Sequence, residues 1–161
     1  MRYFILTLIS FLFSQSMNAQ HEQRKYIKNY NDDILIEEGW MINGEKTDYW
    51  YTYYNDGSLQ SKGEYKSNLK NGYWYYYSTL GHIQYEGHYN EGNKTKWWIT
   101  YNSEGLVSFK CQYLNNVKQG YSLCYKKGKL VKSEKYINNT KVDEWTSLWK
   151  FKLSNNLEDL K

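Results

Sequence analysis

Apolar and aromatic residues recur at a fixed interval along most of this chain. Trp50, Trp74 and Trp98 lie 24 residues apart, Ser122 holds the next position, and Trp145 follows 23 residues later. A fixed period is the signature of a repeat protein, and here it predicts about five similar units. Three further columns keep the same phase: Gly57, Gly81, Gly105 and Gly128; Met41, Tyr65, Tyr89, Tyr113 and Tyr136; and Leu35, Leu59, Ile83, Val107 and Leu130.

Each unit has the pattern of a β-hairpin. Polar residues alternate with apolar or small ones over residues 58–65, which is typical of a strand. A turn rich in Asn, Lys and Gly then precedes the five aromatic residues 73–77, and Gly81 marks the return of the chain. A single hairpin cannot bury its own apolar side chains. We therefore expect an all-β fold in which consecutive hairpins line up in one elongated antiparallel sheet.

A glycine and aromatic motif accompanies the period. One unit reads Gly63-Glu-Tyr65, Gly72-Tyr-Trp74, Tyr77 and Gly81, and the next reads Gly87-His-Tyr89, Trp98, Tyr101 and Gly105. Over about residues 35–152 this pattern resembles the MORN repeat family in its bacterial variant. The chain departs from that motif in three ways. Ser122 replaces the tryptophan, and residues 110–113 lack the opening glycine. The glycine found at Gly72 and Gly120 is replaced in the other units by Asp48, Lys96 and Asp143.

The resemblance carries expectations about fold and function. It implies a single-layer, curved sheet of about five MORN-type hairpins of 23 to 24 residues. It also implies a protein that holds partners together or binds membranes, without catalysis. Relatives of this kind are often labelled antitoxins, so the resemblance suggests an antitoxin-like role.

The five consecutive aromatic residues raise the question of which sheet face binds a ligand. Successive strand residues point to opposite faces, so Tyr73, Tyr75 and Tyr77 share one face and Trp74 and Tyr76 the other. We expect the tryptophan side to be the packed one and the opposite side to bind a partner; alternatively, these rings only shield the sheet and pack on one another. The candidate partner-binding residues are Tyr73, Tyr75, Tyr77, Trp97, Tyr101 and Tyr125.

The hairpin register determines the role of the two cysteines. If Gly63 opposes Tyr76 across the hairpin, the same register two units later places Cys111 opposite Cys124. The sequence then predicts a cross-strand disulfide, which an oxidising compartment would favour. The alternative is two free, partly buried cysteines.

The two ends of the chain differ from the repeats. Arg2, an apolar run and a small-residue segment ending at Ala19 predict a secretory signal at residues 1–19, with an uncleaved membrane anchor as the alternative. We therefore expect an exported protein, periplasmic or extracellular after cleavage near Ala19. The expected divisions are a polar leader at 20–33, the repeat domain at 34–152 and a C-terminal cap at 153–161. In that cap, Ser154 would begin a short helix carrying Leu157 and Leu160, with Trp149 and Phe151 covering the last hairpin.

Composition agrees with a sheet, and charge adds one candidate site. Aromatics make up 19% of the chain, there is no proline, and the mean hydropathy is −0.89. The net charge is +4, and much of it falls in a basic patch of Lys126, Lys127, Lys129 and Lys132. The patch could attract an anionic glycan, a lipid head group or an acidic protein; alternatively, it is a solvated edge that prevents strand pairing between molecules. Export argues against a nucleic-acid partner.

The sequence contains no motif typical of an enzyme site. His82 and His88 share a strand face, but six residues of strand separate them by about 20 Å, too far for one metal ion. The sequence therefore predicts no catalytic residue, no metal and no cofactor. The expected function is an exported, non-catalytic binding or scaffolding module for a protein partner. Alternatives are a cell-wall or glycan-binding repeat protein and a protein that binds anionic membranes.

Overall fold

The computed structural model describes residues 23–156, which form one continuous antiparallel sheet and one short helix. The strands pair in chain order from β1 to β11, which confirms the predicted single sheet of consecutive hairpins. No helix of residues 23–156 is long and apolar enough to span a membrane. The elements are β1 Arg24–Asn31, β2 Ile34–Ile42, β3 Glu45–Tyr53, β4 Leu59–Lys66, β5 Leu69–Tyr77, β6 Ile83–Asn90, β7 Asn93–Tyr101, β8 Val107–Leu114, β9 Val117–Lys126, β10 Lys129–Ile137, β11 Thr140–Trp145 and α1 Leu148–Ser154.

Two kinds of turn alternate from β2 to β9, whereas the turns that join β1 to β2, β9 to β10 and β10 to β11 all have two residues. Between β4 and β5, Ser67 and Asn68 both have positive φ, 46° and 65°, as a two-residue hairpin turn requires. Between β3 and β4 the loop is longer, with Tyr54 N donating to Ser58 O at 2.9 Å and Gly57 at a φ of 81°. Repetition of the same two turns in successive units produces the period of 24 residues.

The two-residue turns at one edge of the sheet, such as the turn between β4 and β5, are also bonded to the preceding strands. Asn68 N donates to Lys46 O at 3.0 Å, and Asn68 Oδ1 accepts from Lys46 N at 2.8 Å. Asn116 binds Lys94 through the same pair of bonds, at 3.0 and 2.7 Å. These bonds join units that would otherwise be connected at this edge by the strand ladder alone.

A tryptophan lying on a glycine is the main packing unit. Trp74 is 0% exposed, and a Cβ added to Gly63 would lie far inside van der Waals distance of its indole ring. The indole Nε1 of Trp74 donates to Glu64 O at 3.0 Å. The same arrangement joins Trp50 to Gly39 and Trp98 to Gly87.

The predicted hairpin register is wrong by two residues. Ser61, and not Gly63, opposes Tyr76, and the next pairs are Lys62 with Tyr75 and Glu64 with Asn71. Between the last two pairs the register shifts at a bulge in β5, which contains Gly72 with a φ of 67°. The glycine that resembled part of a turn therefore lengthens β5 and brings Trp74 over Gly63.

The predicted disulfide is wrong for the same reason. Cys111 opposes Ser122, and Cys124 opposes Phe109, and both cysteines are free. Cys111 occupies the glycine position of this unit and Ser122 the tryptophan position. The Cys111 thiol donates to Gln112 O at 3.6 Å. This carbonyl is equivalent to Glu64 O, which accepts the hydrogen bond from the indole of Trp74.

Trp145 does not belong to the tryptophan column in three dimensions. The bulge of β11 is shorter, with Lys135 opposite Asp143 and Tyr136 opposite Lys141. When a bulge is shorter by one residue, the side chains that follow it in the strand point to the other face of the sheet. Trp145 therefore packs on Tyr121 and on Phe151 of α1.

Both ends of the sheet depart from the sequence prediction. Strand β1 lies within the supposed polar leader and pairs with β2. Helix α1 begins before Ser154 and ends there; Phe151 is 1% exposed, whereas Trp149 is 68% exposed and does not cover the last hairpin. The predicted signal at residues 1–19, together with Leu157 and Leu160, lies outside the described residues.

The turn bonds predict a stabilising substitution. Gly92 N donates to Lys70 O at 2.8 Å, but Gly92 has no side chain to accept from Lys70 N. Its φ of 80° suits asparagine, and an added Cβ would meet only Leu69 Cδ2 at 3.5 Å. Gly92→Asn should raise Tm by about 2–4 °C, the effect of roughly 1 kcal/mol in a chain of this size.

The matched variant is Asn116→Gly, which removes the equivalent bond and should lower Tm by a similar amount. Calorimetry of both variants beside the parent provides the measurement. A neutral Asn116→Gly substitution would show that the amide does not join neighbouring hairpins.

Candidate binding surfaces

The sheet has two chemically distinct faces. We call the side that carries Trp50, Trp74 and Trp98 the tryptophan face. We call the side that carries Tyr73, Tyr75 and Tyr77 the tyrosine face. The ring contacts agree with this division: Tyr73 lies 4.9 Å from Tyr75, and Trp74 lies 6.1 Å from Tyr76.

The tyrosine face contains the six residues that the sequence singled out. All six are partly exposed, so none is a core residue and none is fully solvated. They lie on every second strand, β5, β7 and β9, at equivalent positions: Tyr73 and Trp97; Tyr75; and Tyr77, Tyr101 and Tyr125.

A column of charged residues runs between these rings, and its sign alternates from unit to unit. Tyr53 Oη donates to Glu38 Oε1 at 2.6 Å, and Lys62 Nζ lies 5.3 Å from the ring centre of Tyr75 and 5.8 Å from that of Tyr77. The next two units repeat the alternation with Glu86 and Lys110. A partner on this face would therefore meet acidic and basic groups in turn.

Burial and hydrogen bonding hold the Tyr101 hydroxyl in its protonated form. Burial, and then the hydrogen bond to Glu86, raise the pKa of Tyr101 to about 12. The Tyr101 hydroxyl donates to Glu86 Oε1 at 2.6 Å. The hydroxyl oxygen still has a lone pair for a partner.

Helix α1 closes the C-terminal end of the tyrosine face. Tyr121, Trp145 and Phe151 form a buried cluster there, and Trp97 packs against it. Tyr121 Oη donates to Asn155 Oδ1 at 2.7 Å. Trp97 is therefore partly committed to this cluster.

His88 contributes packing to this face, whereas His82 is exposed. The ring of His88 lies 4.7 Å from that of Tyr73 in an edge contact, and burial, followed by the charge of Lys96, lowers the pKa of His88. Within residues 23–156 no three His, Cys, Asp or Glu side chains are grouped so that they could hold a metal ion.

The predicted basic patch divides into two parts. Lys126, Lys127 and Lys129 are exposed around the turn between β9 and β10. Lys132 instead forms an ion pair with Glu134, its Nζ lying 2.7 Å from Glu134 Oε1. The hydrogen bond to Glu134 raises the pKa of Lys132. Only the three turn lysines therefore remain as a basic patch.

The tryptophan face carries a lysine column that the sequence analysis missed. Lys46, Lys70 and Lys94 lie 24 residues apart, and their Nζ atoms lie 4.1, 4.2 and 4.1 Å from the ring centres of the tryptophan in their own unit. Lys118 continues the column, with Nζ 5.1 Å from the ring centre of Tyr136. Cation–π attraction holds these ammonium groups over the rings. The constant period could have revealed this column.

Carboxylates accompany this column only at its two ends. Lys46 Nζ lies 2.5 Å from Glu37 Oε2, and Lys141, in the last unit, lies 2.6 Å from Glu144 and 3.6 Å from Glu134. Lys70, Lys94 and Lys118 form no ion pair with any residue in the range 23–156. Burial, and then the charges of Lys94 and Lys46, lower the pKa of Lys70, and burial lowers that of Lys94.

Two depressions lie beside these unpaired lysines. One has a volume of about 290 Å³ and includes Lys70, Tyr76 and Tyr85 in its lining. The other has a volume of about 180 Å³ and includes Tyr85, Lys94 and Phe109. Tyr85 lines both depressions, so they adjoin across the strands, and we call the two together the groove.

Comparison with known proteins identifies no family. No family model matches the chain, and no curated protein matches it. Among solved structures, the chain is similar to part of the GtfA/B complex bound to UDP and GlcNAc, with 12% sequence identity, a TM-score of 0.45 and coverage of 71% of this chain. The chain spans 25% of the length of that one.

The Tyr53 and Glu38 pair predicts a pH effect. The hydrogen bond from Tyr53 is the main cause that lowers the pKa of Glu38, with Lys28 adding to it. Because the pKa of Glu38 is lower in the folded protein, the ionised carboxylate stabilises the fold. This stabilisation is complete above pH 4.5, the ordinary pKa of glutamate, and is lost as the pH falls through the pKa of Glu38 in the folded protein. Tyr53→Phe should therefore raise the pKa of Glu38 and reduce the difference in Tm between about pH 7 and about pH 3.

NMR titration of the Glu38 carboxyl carbon, together with thermal unfolding at both pH values, measures the effect. Tyr77→Phe is the matched control because Tyr77 faces Lys62 and not a carboxylate. An unchanged titration of Glu38 in Tyr53→Phe would show that the hydroxyl does not hold this carboxylate.

Proposed function

We propose that this chain is an exported, non-catalytic binding module that holds a protein partner on its tyrosine face. The observation that carries the proposal is a row of half-exposed tyrosines on a sheet that has only one layer. Tyrosine is enriched at protein interfaces, because it offers a large contact area with few rotatable bonds and a polar tip.

The alternating charges on the same face support a protein partner. Glu38, Lys62, Glu86 and Lys110 lie in one column across the sheet. Charges that alternate in sign do not favour a uniformly anionic lipid surface. They suit a partner whose own charges alternate, since complementary patterns give specificity.

The resemblance to MORN repeats is consistent with this role. The motif residues serve the sheet itself, as Trp74 on Gly63 illustrates, so the resemblance concerns the scaffold and not the identity of the partner. The antitoxin-like label and the export signal stay predictions of the sequence.

The experiment is affinity capture from envelope extracts with the protein starting at Gln20. The double variant Tyr75→Ala, Tyr101→Ala should lose the captured protein, with affinity for the purified partner falling about tenfold or more. The matched control is Tyr85→Ala, Tyr113→Ala, which removes two rings from the tryptophan face.

Isothermal titration with the purified partner shows which face of the sheet binds it. Loss of binding in the Tyr75, Tyr101 variant alone would support the proposal, provided that both variants remain folded by circular dichroism. Loss in the control variant alone, or in neither, would contradict it.

A further inference from the structure

The three unpaired lysines of the tryptophan face form a regular row. Lys70, Lys94 and Lys118 belong to β5, β7 and β9, so each lies two strands from the next. Neighbouring strands are about 4.8 Å apart, which places the ammonium groups roughly 9.6 Å from one another. The row runs across the strands: Lys70 and Lys94 line the groove, and Lys118 lies next to it, with Nζ 5.8 Å from the ring centre of Phe109.

The surface between these lysines is aromatic and rich in hydroxyl groups. Tyr76 and Tyr85 stack with ring centres 4.4 Å apart, and Tyr85 is 37% exposed. Lys70 Nζ donates to Tyr76 Oη at 2.8 Å. Thr100 lines the second depression. Thr52 lines the far side of the first depression, beyond Lys70, and its hydroxyl bonds the buried Ser61 hydroxyl at 2.7 Å.

We propose that this groove binds a linear acidic polysaccharide with one carboxylate in each disaccharide. The flat faces of pyranose rings suit tyrosine and phenylalanine side chains, and sugar hydroxyls suit the hydroxyls of Tyr85 and Thr100, which line the groove. A β-linked disaccharide is about as long as two strand spacings, so its carboxylates would meet successive lysines. This site lies on the face opposite the one in the proposed function, and it is independent of that proposal.

The ends of the row define the length of the site. Glu37 neutralises Lys46 on one side, and Glu134 and Glu144 neutralise Lys141 on the other. Three cations are left, which match the carboxylates of three disaccharides. Burial without a carboxylate partner lowers the pKa of Lys70. A carboxylate bound beside Lys70 would offset the free-energy cost of burying this charge.

Other polyanions fit this spacing less well. In an extended peptide, side chains on one face are about 6.7 Å apart, so they lose register with the lysines after one step. A lipid surface needs protruding basic residues, whereas Lys70 and Lys94 lie half-buried over indole rings.

The test is isothermal titration with a hexasaccharide of alternating glucuronate and N-acetylglucosamine. We expect binding that weakens with added salt, and no binding of the same hexasaccharide with its carboxylates converted to methyl esters. The triple variant Lys70→Gln, Lys94→Gln, Lys118→Gln should bind the hexasaccharide about tenfold more weakly than the parent protein does. A loss of this size is expected for three accessible ion pairs.

The matched control is Lys62→Gln, Lys110→Gln, Lys135→Gln, which removes the same charge from the tyrosine face and should leave the affinity unchanged. Equal losses in both triple variants would overturn the site, because only net charge would then matter. Equal binding of the methyl ester, or tighter binding of polyglutamate or anionic vesicles than of the hexasaccharide, would overturn the ligand class. If the triple lysine variant fails to fold, the comparison of acid and ester on the parent protein still decides the ligand class, and the single variant Lys94→Gln, which should weaken binding, decides the site.

Discussion

The contact between a tryptophan and a glycine on the neighbouring strand governs this structure. A single-layer sheet has no second sheet to cover its apolar residues, so each unit must bury its largest ring against its own backbone. Trp74 does so because Gly63 has no side chain, and the indole N–H finds a carbonyl one residue further on. Burial of a tryptophan in this way contributes about 3–5 kcal/mol, judged by the usual cost of truncation to alanine.

The exceptions within the chain follow the same constraint. Where Ser122 replaces tryptophan, the glycine opposite is no longer required, and Cys111 takes its position. In the last unit the opposing residues are Glu134 and Glu144, and the aromatic packing gives way to ion pairs with Lys132 and Lys141. Trp145, turned to the other face, forms a small core with α1 instead.

The period of the sequence was sufficient to predict the sheet, its hairpins and the division of the aromatic run between two faces. The pairing register was not predictable in the same way, because a glycine such as Gly72 can occupy either a turn or a bulge. That ambiguity produced the incorrect disulfide between Cys111 and Cys124. The lysine column was predictable, because Lys46, Lys70 and Lys94 keep the same spacing as the tryptophans, but the apolar pattern alone does not include it. The absence of carboxylates beside the central lysines depends on which face each glutamate occupies, and so required the register.

A double-mutant cycle on Gly63 and Trp74 tests the central contact most directly. Gly63→Ala should destabilise the parent protein by about 1–3 kcal/mol or more, because the methyl group would overlap the indole ring. In the Trp74→Ser background, which has serine at the tryptophan position as Ser122 does, the same substitution should cost far less. An equal cost in both backgrounds, measured by urea unfolding, would contradict the account, because Gly63 would then serve the backbone and not the ring.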